Sequence, residues 1–190
     1  VASVVDIWNR SLQELGATRV TALTDTTSSA RECNQCYDIQ RHLLLSEFDW
    51  NCARKRGQLA ADATAPVFGK SFKYPLPSDF LRLAIQDDSK RITNTDWQIE
   101  SGDIHTNDVA PLNIVYIFDL TDPNVMDVFF REALALKMAL AMCEAITQSN
   151  SKQGIISAKY EESIKSARRS NAFMNKPRPL LDGSFITSRN

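Results

Sequence analysis

Apolar positions recur three and four residues apart at both ends of the chain and lose that period in the middle. The pattern predicts helices flanking a β-rich insert. Over residues 2–15, Val4, Val5, Trp8, Leu12 and Leu15 share one face, with Asp6, Arg10 and Glu14 opposite and Gly16 placed to end the helix. Ala17 to Thr26 is Thr-rich, has no period and reads as a loop. Thr27 or Ser28 caps a second helix, with Glu32 near the position that returns the capping bond. That helix runs to about Phe48 and carries Ala30, Cys33, Tyr37, Leu44 and Phe48 on one face.

From Asp49 to Thr121 the helical period gives way to Pro66, Gly69, Pro75, Pro77, Gly102 and Pro111. Short apolar runs between them predict strands at Cys52–Ala60, Phe72–Leu76, Phe80–Ile85, Trp97–Ser101 and Leu112–Phe118. The last is the clearest, being rich in β-branched and aromatic residues. Ser101-Gly102-Asp103 reads as a hairpin turn. Pairing is expected to be antiparallel, because no crossover helix intervenes.

Helix returns at Asp122-Pro123, an N-cap followed by a proline suited to the first helical position. Val125, Phe129, Ala133, Leu136, Leu140 and Cys143 form its predicted buried face, and its alanines allow close helix packing. Ser149-Asn150-Ser151 breaks it. A fourth helix over 152–172 turns Ile156, Tyr160, Ile164 and Ala167 inward and Glu161, Glu162, Lys165, Arg168 and Arg169 outward.

The predicted fold class is therefore α+β. Residues 1–48 and 122–172 make the two halves of a four-helix bundle, 49–121 an inserted antiparallel β-rich subdomain, and 173–190 an extended C-terminal arm. Pro177 and Pro179 forbid helix in the arm and favour extended backbone. Leu180, Leu181, Phe185 and Ile186 still give it apolar surface to bury. About 20 such residues span up to roughly 65 Å, which points to a chain that grips a neighbour.

Composition changes this picture little. The 190 residues are 43% apolar and 24% charged with a net charge of −1, as in an ordinary globular protein. No run approaches the length of a membrane span, and the start lacks the basic n-region of a signal peptide. A soluble cytosolic product without membrane association is expected. Of the four cysteines, Cys33 and Cys36 form a C-x-x-C inside a helix, without the second ligand pair that zinc requires. They read as small apolar side chains.

Catalytic patterns are absent from the sequence: no G-x-S-x-G, phosphate loop, G-x-G-x-x-G or H-E-x-x-H occurs. Of the two histidines, His42 lies within a helix as a surface or boundary residue and His105 near a strand edge, and the pairs Asp87-Asp88 and Glu161-Glu162 suit solvated positions. No enzyme, cofactor or metal is expected. Among the basic residues, Arg54-Lys55-Arg56 lies in a predicted strand, where alternation sends Arg54 and Arg56 to one side and Lys55 to the other. Arg54 and Arg56 are the candidate phosphate contacts, against the plainer reading of a solvated strand face.

The order of segments carries more information than any one motif. Val4-Val5-Asp-Ile-Trp-Asn-Arg-Ser-Leu-Gln-Glu-Leu-Gly16 precedes a Thr/Asp-rich loop and a helix bearing Ala30-Arg-Glu-Cys. Then come Phe48-Asp-Trp-Asn-Cys-Ala-Arg-Lys-Arg56, Tyr74-Pro-Leu-Pro-Ser-Asp-Phe-Leu-Arg82 and Tyr116 to Thr121-Asp-Pro123. Phe129-Phe-Arg-Glu-Ala-Leu-Ala, Ala167-Arg-Arg and Asp182-Gly-Ser-Phe-Ile complete the series. This succession resembles, over nearly the whole chain, the head-to-tail adaptor or tail tubular protein A family of short-tailed bacteriophages.

The resemblance implies a non-enzymatic virion protein at the head–tail junction, made in the host bacterial cytoplasm. It implies a homo-oligomeric, twelve-fold ring below the portal protein, extending the DNA channel and receiving nozzle, tubular or fibre proteins of the tail. Genomic DNA would pass through the lumen without sequence-specific binding. By segment, the arm residues Pro177, Arg178, Pro179, Leu180, Leu181, Phe185 and Ile186 become candidates for a portal, ring or tail interface. Trp50, Phe68, Phe72 and Tyr74 become candidates on the β insert. A ring needs two different faces per subunit, and its permanent interfaces are comparatively apolar. Duplex DNA carries about one charge per 1.7 Å, so Arg54, Lys55 and Arg56 are not all expected on the channel wall. The alternative from another class is a DNA-binding accessory module using the Arg54–Arg56 patch; a third, a wall-degrading enzyme, would need His42 or His105.

Overall fold

Ser3 sets the start of the first helix. Its hydroxyl accepts the Asp6 N–H at 3.1 Å, and the Asp6 carboxylate returns a bond to the Ser3 N–H at 2.8 Å, closing a capping box. Helix α1 (Val4–Leu15) ends at Gly16, whose φ of 68° is the left-handed conformation that glycine adopts without a Cβ penalty. The computed structural model describes residues 1–84 and 96–174.

Helix α2 (Ser28–Glu47) is capped by Thr27, whose hydroxyl accepts the Ala30 N–H. Ala30 occupies the reciprocal position expected for Glu32, so this cap has one arm only. Six strands follow: β1 (Arg54–Leu59), β2 (Phe72–Pro75), β3 (Phe80–Leu83), β4 (Gln98–Glu100), β5 (Asp103–Thr106) and β6 (Leu112–Phe118). Helices α3 (Val128–Thr147) and α4 (Asn150–Phe173) close the described chain. The fold is α+β, with four helices and two small three-stranded antiparallel sheets inserted between α2 and α3.

The strand expectations hold with shifted ends. Cys52 belongs to a short 3-10 turn (Asn51–Ala53), and β1 begins at Arg54. The Ser101-Gly102 hairpin joins β4 to β5, and both turn residues have positive φ, 51° and 87°. The predicted strand end at Ile85 and the Asp87-Asp88 pair lie outside the described residues.

The first sheet has the order β1-β6-β3 and the second β2-β5-β4. Strand β6 is buried on both faces, which explains its nearly unbroken apolar run. Ile117 joins the helical core, whereas Leu112, Ile114 and Tyr116 join a second core with Leu59, Tyr74 and Ile104. The first sheet thus lies between the helices and the second sheet. Gly57 permits a close approach here: a Cβ would come 3.3 Å from Tyr116 Cε1.

Helix α3 departs most from expectation. It starts at Val128 under an Asp127 cap, whose carboxylate accepts the Phe129 N–H at 2.8 Å. Asp122 instead closes an isolated turn, accepting from the Asn124 backbone and side chain. The inward ladder is Phe130, Leu134, Met138 and Met142; Val125 and Phe129, expected to be buried, are exposed, and Leu140 is half-buried. Because α3 packs against α1, α2 and α4 together, it buries most of its circumference.

Asn171 ties the end of α4 to the α2–β1 junction. Its Oδ1 accepts the Asn51 N–H, its carbonyl accepts from Asn51 Nδ2, and its Nδ2 donates to the Asp49 carbonyl, each at 2.8 Å. Asn171→Ala removes two of these bonds and orphans backbone groups, at about 2 kcal/mol in total. At about 2–4 °C per kcal/mol for a chain of this size, a thermal scan should show Tm lower by about 4–8 °C.

Candidate partner interfaces

The residues singled out from sequence separate into three groups. Trp50 and Tyr74 do not present interfaces; they are core residues, 2% and 0% exposed. Trp50 stands edge-on to Phe48 and Phe130, with ring centres 5.3 and 5.1 Å away, and its Nε1 donates to the Leu44 carbonyl at 2.7 Å. Tyr74 fills the second core and donates its hydroxyl to the Asp108 carbonyl at 2.7 Å. Phe72 is half-buried against the same core.

Phe68 is different. It and Val67 are 87% and 97% exposed, in the segment joining β1 to β2. The arm residues Pro177, Arg178, Pro179, Leu180, Leu181, Phe185 and Ile186 lie outside the described residues.

Strand β1 is an edge strand, and its register sorts the basic residues. Arg54 and Arg56 pair across from Ile117 and Val115, and Lys55 from Tyr116. Directly opposed residues share a face, so Arg54 and Arg56 lie toward the helices and Lys55 toward the second sheet. Lys55 is committed there: its Nζ donates to Asp79 at 2.7 Å and sits 5.2 Å from the Phe118 ring centre. Asp79 also accepts from the Tyr116 hydroxyl, and the Lys55 hydrogen bond chiefly holds its carboxyl below the ordinary range. Arg54 is half-buried and Arg56 exposed, and both are engaged in contacts of their own.

Two features were missed by the sequence reading. Arg41 is only 4% exposed and clasps α2 to the residue following β6. Its guanidinium donates to Asp38 at 2.5 Å and to Asp119 at 2.8 Å, and lies 5.4 Å from the Tyr37 ring centre. His42 Nε2 is 3.1 Å from the same Asp119 carboxylate and 3.2 Å from Arg41. The imidazole therefore faces a carboxylate and a guanidinium rather than a hydroxyl or thiol, a clasp in form. An arginine four residues after Tyr37 and three after Asp38 was the available signal.

The second is an apolar groove between the starts of α1 and α3. It encloses about 380 Å³, with Ile7 beneath, Val128 and Phe129 at the side, and Asp6, Arg10 and Glu132 around it. Val128 and Phe129 are 65% and 46% exposed. Asp6 is paired with Ser3 and Arg10 with Glu132 at 2.5 Å, and Arg131 also lines the groove. The four-residue ladder from Phe130 was the signal that Phe129 faces out.

Below this groove, Arg10 and Lys159 both reach Glu14, each at 2.7 Å, joining α1 to α4. Hydrogen bonds from Lys159 first, then Arg10, hold Glu14 below its ordinary value of 4.5, against the opposing effect of burial. A carboxylate held low in the fold stabilises it above the unfolded value, and that stability is lost as pH falls through the lowered one. Lys159→Met should move the Glu14 titration back toward 4.5 in a carboxyl NMR titration. Lys159 is half-exposed, so the cost near neutral pH is only about 0.5 kcal/mol, and it should vanish in strong acid.

Cys33 is buried in the helical core and Cys36 packs against it; burial pushes both thiols up to about 11. Among the described residues no group of three or more His, Cys, Asp or Glu is placed to hold a metal ion, and no helix is long and apolar enough to cross a membrane. Neither a known family model nor a curated protein matches the chain.

Proposed function

We propose that this chain is a structural head-to-tail adaptor of a short-tailed bacteriophage. On this reading it is a four-helix bundle with an inserted β-rich subdomain and an extended C-terminal arm. Copies form a ring, of twelve in the family it resembles, below the portal. The ring continues the DNA channel and receives the tail. It acts by holding neighbours, without a cofactor and without catalysis, and its place is the head–tail junction of the virion.

The observation that carries this reading is the ordered succession of segments from Val4-Val5-Asp-Ile-Trp to Asp182-Gly-Ser-Phe-Ile. The exposed apolar side chains support it. Val67 and Phe68 stand between β1 and β2, and Val128 and Phe129 on the first turn of α3. Two apolar sites on different elements suit a subunit that presents unlike faces to its two ring neighbours. The strand register supports a lumen that does not hold DNA tightly, because Lys55 and its neighbouring arginines lie on opposite faces of β1.

Deleting Pro177–Asn190 tests the role given to the arm. The truncated chain should keep the Tm of the full chain yet lose most of its co-sedimentation with portal rings. Unfolding of the truncated chain would instead assign the arm to the core and remove it as a docking element.

A further inference from the structure

The groove between the starts of α1 and α3 has the character of a site for an apolar segment bearing one negative charge. Ile7, Val128 and Phe129 supply apolar surface, and its volume of about 380 Å³ equals that of roughly a dozen water molecules at about 30 Å³ each. Around it, Asp6 is held by Ser3 and Arg10 by Glu132. Arg131 differs. It is half-buried, and among the described residues nothing is hydrogen-bonded or ion-paired to its guanidinium, although Asp6 feels its charge. It stands three residues after Val128, on the same face of α3. A purely apolar guest would take water from this cation, whereas a guest with a carboxylate would compensate it.

The chain carries such a segment, and it leaves the bundle at the groove's end. Helix α4 packs back along α3 after a short connection, so α4 finishes where α3 begins. Asn171 is bonded to Asn51, the adjoining Cys52 thiol meets the Asp127 backbone, and Asp127 caps α3 directly before Val128. Phe173 and Met174 end the described chain there, 83% and 60% exposed. Residues 175–190 follow, and six of them at about 3.3 Å each carry Leu180 up to roughly 20 Å from Met174, about two helix diameters.

The arm's sequence fits the lining. Asp182 is the one acidic side chain of residues 175–190, and it directly follows Leu180 and Leu181. Pro177 and Pro179 favour extended backbone before it, in which successive side chains face opposite ways. Between two helical walls, Leu180 and Asp182 would turn toward one and Leu181 toward the other. The first pair matches the α3 wall, where Val128 and Arg131 are neighbours; Leu181 matches the α1 wall at Ile7.

We infer that in the free chain the Leu180-Leu181-Asp182 segment seats in the chain's own α1–α3 groove, with the leucines against Ile7, Val128 and Phe129 and Asp182 against Arg131. Ordering the intervening backbone offsets most of what two covered leucines gain. Closed and open forms are therefore near balance, and removing the arm leaves Tm where it was. A partner that takes up the arm must draw it from the groove, and at balance its apparent affinity is about half that for an arm already free. The contact lies within one chain and does not depend on the adaptor reading.

The test reads an intrachain disulfide in full-length variants at low concentration under mild oxidation, by mass spectrometry of the digested monomer. Val128→Cys with Leu181→Cys is compared with Ile155→Cys with Leu181→Cys. Ile155 is 59% exposed near the start of α4, at the other end of the bundle. The unmodified chain controls for the four native cysteines, and near-UV circular dichroism matching the parent shows each variant folded. The Val128 pair should link at about ten times the yield of the Ile155 pair. Arg131→Glu should cut that yield about fivefold, and Asp182→Arg added to it should restore most of the loss. Equal yields for the two pairs would overturn the inference, as would links found only between chains. So would a yield that Arg131→Glu leaves unchanged. Portal protein takes no part in this readout, so failure of the adaptor reading would leave the contact standing.

Discussion

Replacing Trp50 with alanine is expected to lower stability by about 3–5 kcal/mol, the usual loss for a large aromatic truncated in a packed core. The residue is 2% exposed, lies edge-on between Phe48 and Phe130, and satisfies the Leu44 carbonyl through its indole N–H. Alanine leaves a cavity where the α2–β1 junction meets α3 and strands that carbonyl, which adds about 1 kcal/mol. A domain holds about 5–15 kcal/mol in all, so the variant should unfold at markedly lower urea, with an unchanged m-value. The size of the effect separates two roles. An exposed interface tryptophan would change monomer stability by no more than about 0.5 kcal/mol. A small loss would return Trp50 to the surface and contradict the packing described above.

Arg41→Met carries the second large effect. Methionine keeps much of the apolar stem but removes the guanidinium that joins Asp38, Asp119 and the Tyr37 ring. Breaking a fully buried pair costs about 3–5 kcal/mol. Asp119 retains some solvent contact and has His42 beside it, at 3.1 Å, so the expected loss is nearer about 2–3 kcal/mol. Arg41→Lys should recover only part of it, since one ammonium cannot hold two carboxylates in the guanidinium's planar geometry. Denaturant titrations of the parent and both variants check the order: parent, then lysine, then methionine. A methionine variant as stable as the parent would show that the clasp adds nothing net.

How much of this was legible in the chain depended on whether the deciding interaction was local. The Gly16 end of α1, the Ser101-Gly102 hairpin and β6 were readable because caps, tight turns and β-branched runs act within a few residues. The start of α3 was misread because two aspartates offered N-caps. Asp122 wins its local hydrogen bonds with Asn124, but only Asp127 opens onto the Phe130-Leu134-Met138-Met142 ladder that the other helices cover. Placing the start at Asp122 turned the helix face and hid the groove at Phe129.

Trp50 and Tyr74 failed for another reason. Aromatic residues in a stretch without period look like surplus surface, and only the tertiary arrangement supplies Phe130 for one and Ile104 for the other. Asn171 and Arg41 depend on partners 120 and 78 residues away, which no local pattern announces. Phe68 kept its place as an exposed candidate.

The most direct test of the account is an image of the full chain mixed with a portal protein of a short-tailed bacteriophage, by electron microscopy with rotational averaging. The adaptor reading predicts a symmetric ring seated beneath the portal, with twelve copies and an open central channel. A chain that stays monomeric beside bare portal rings, and that instead binds duplex DNA with strong salt dependence, would contradict it.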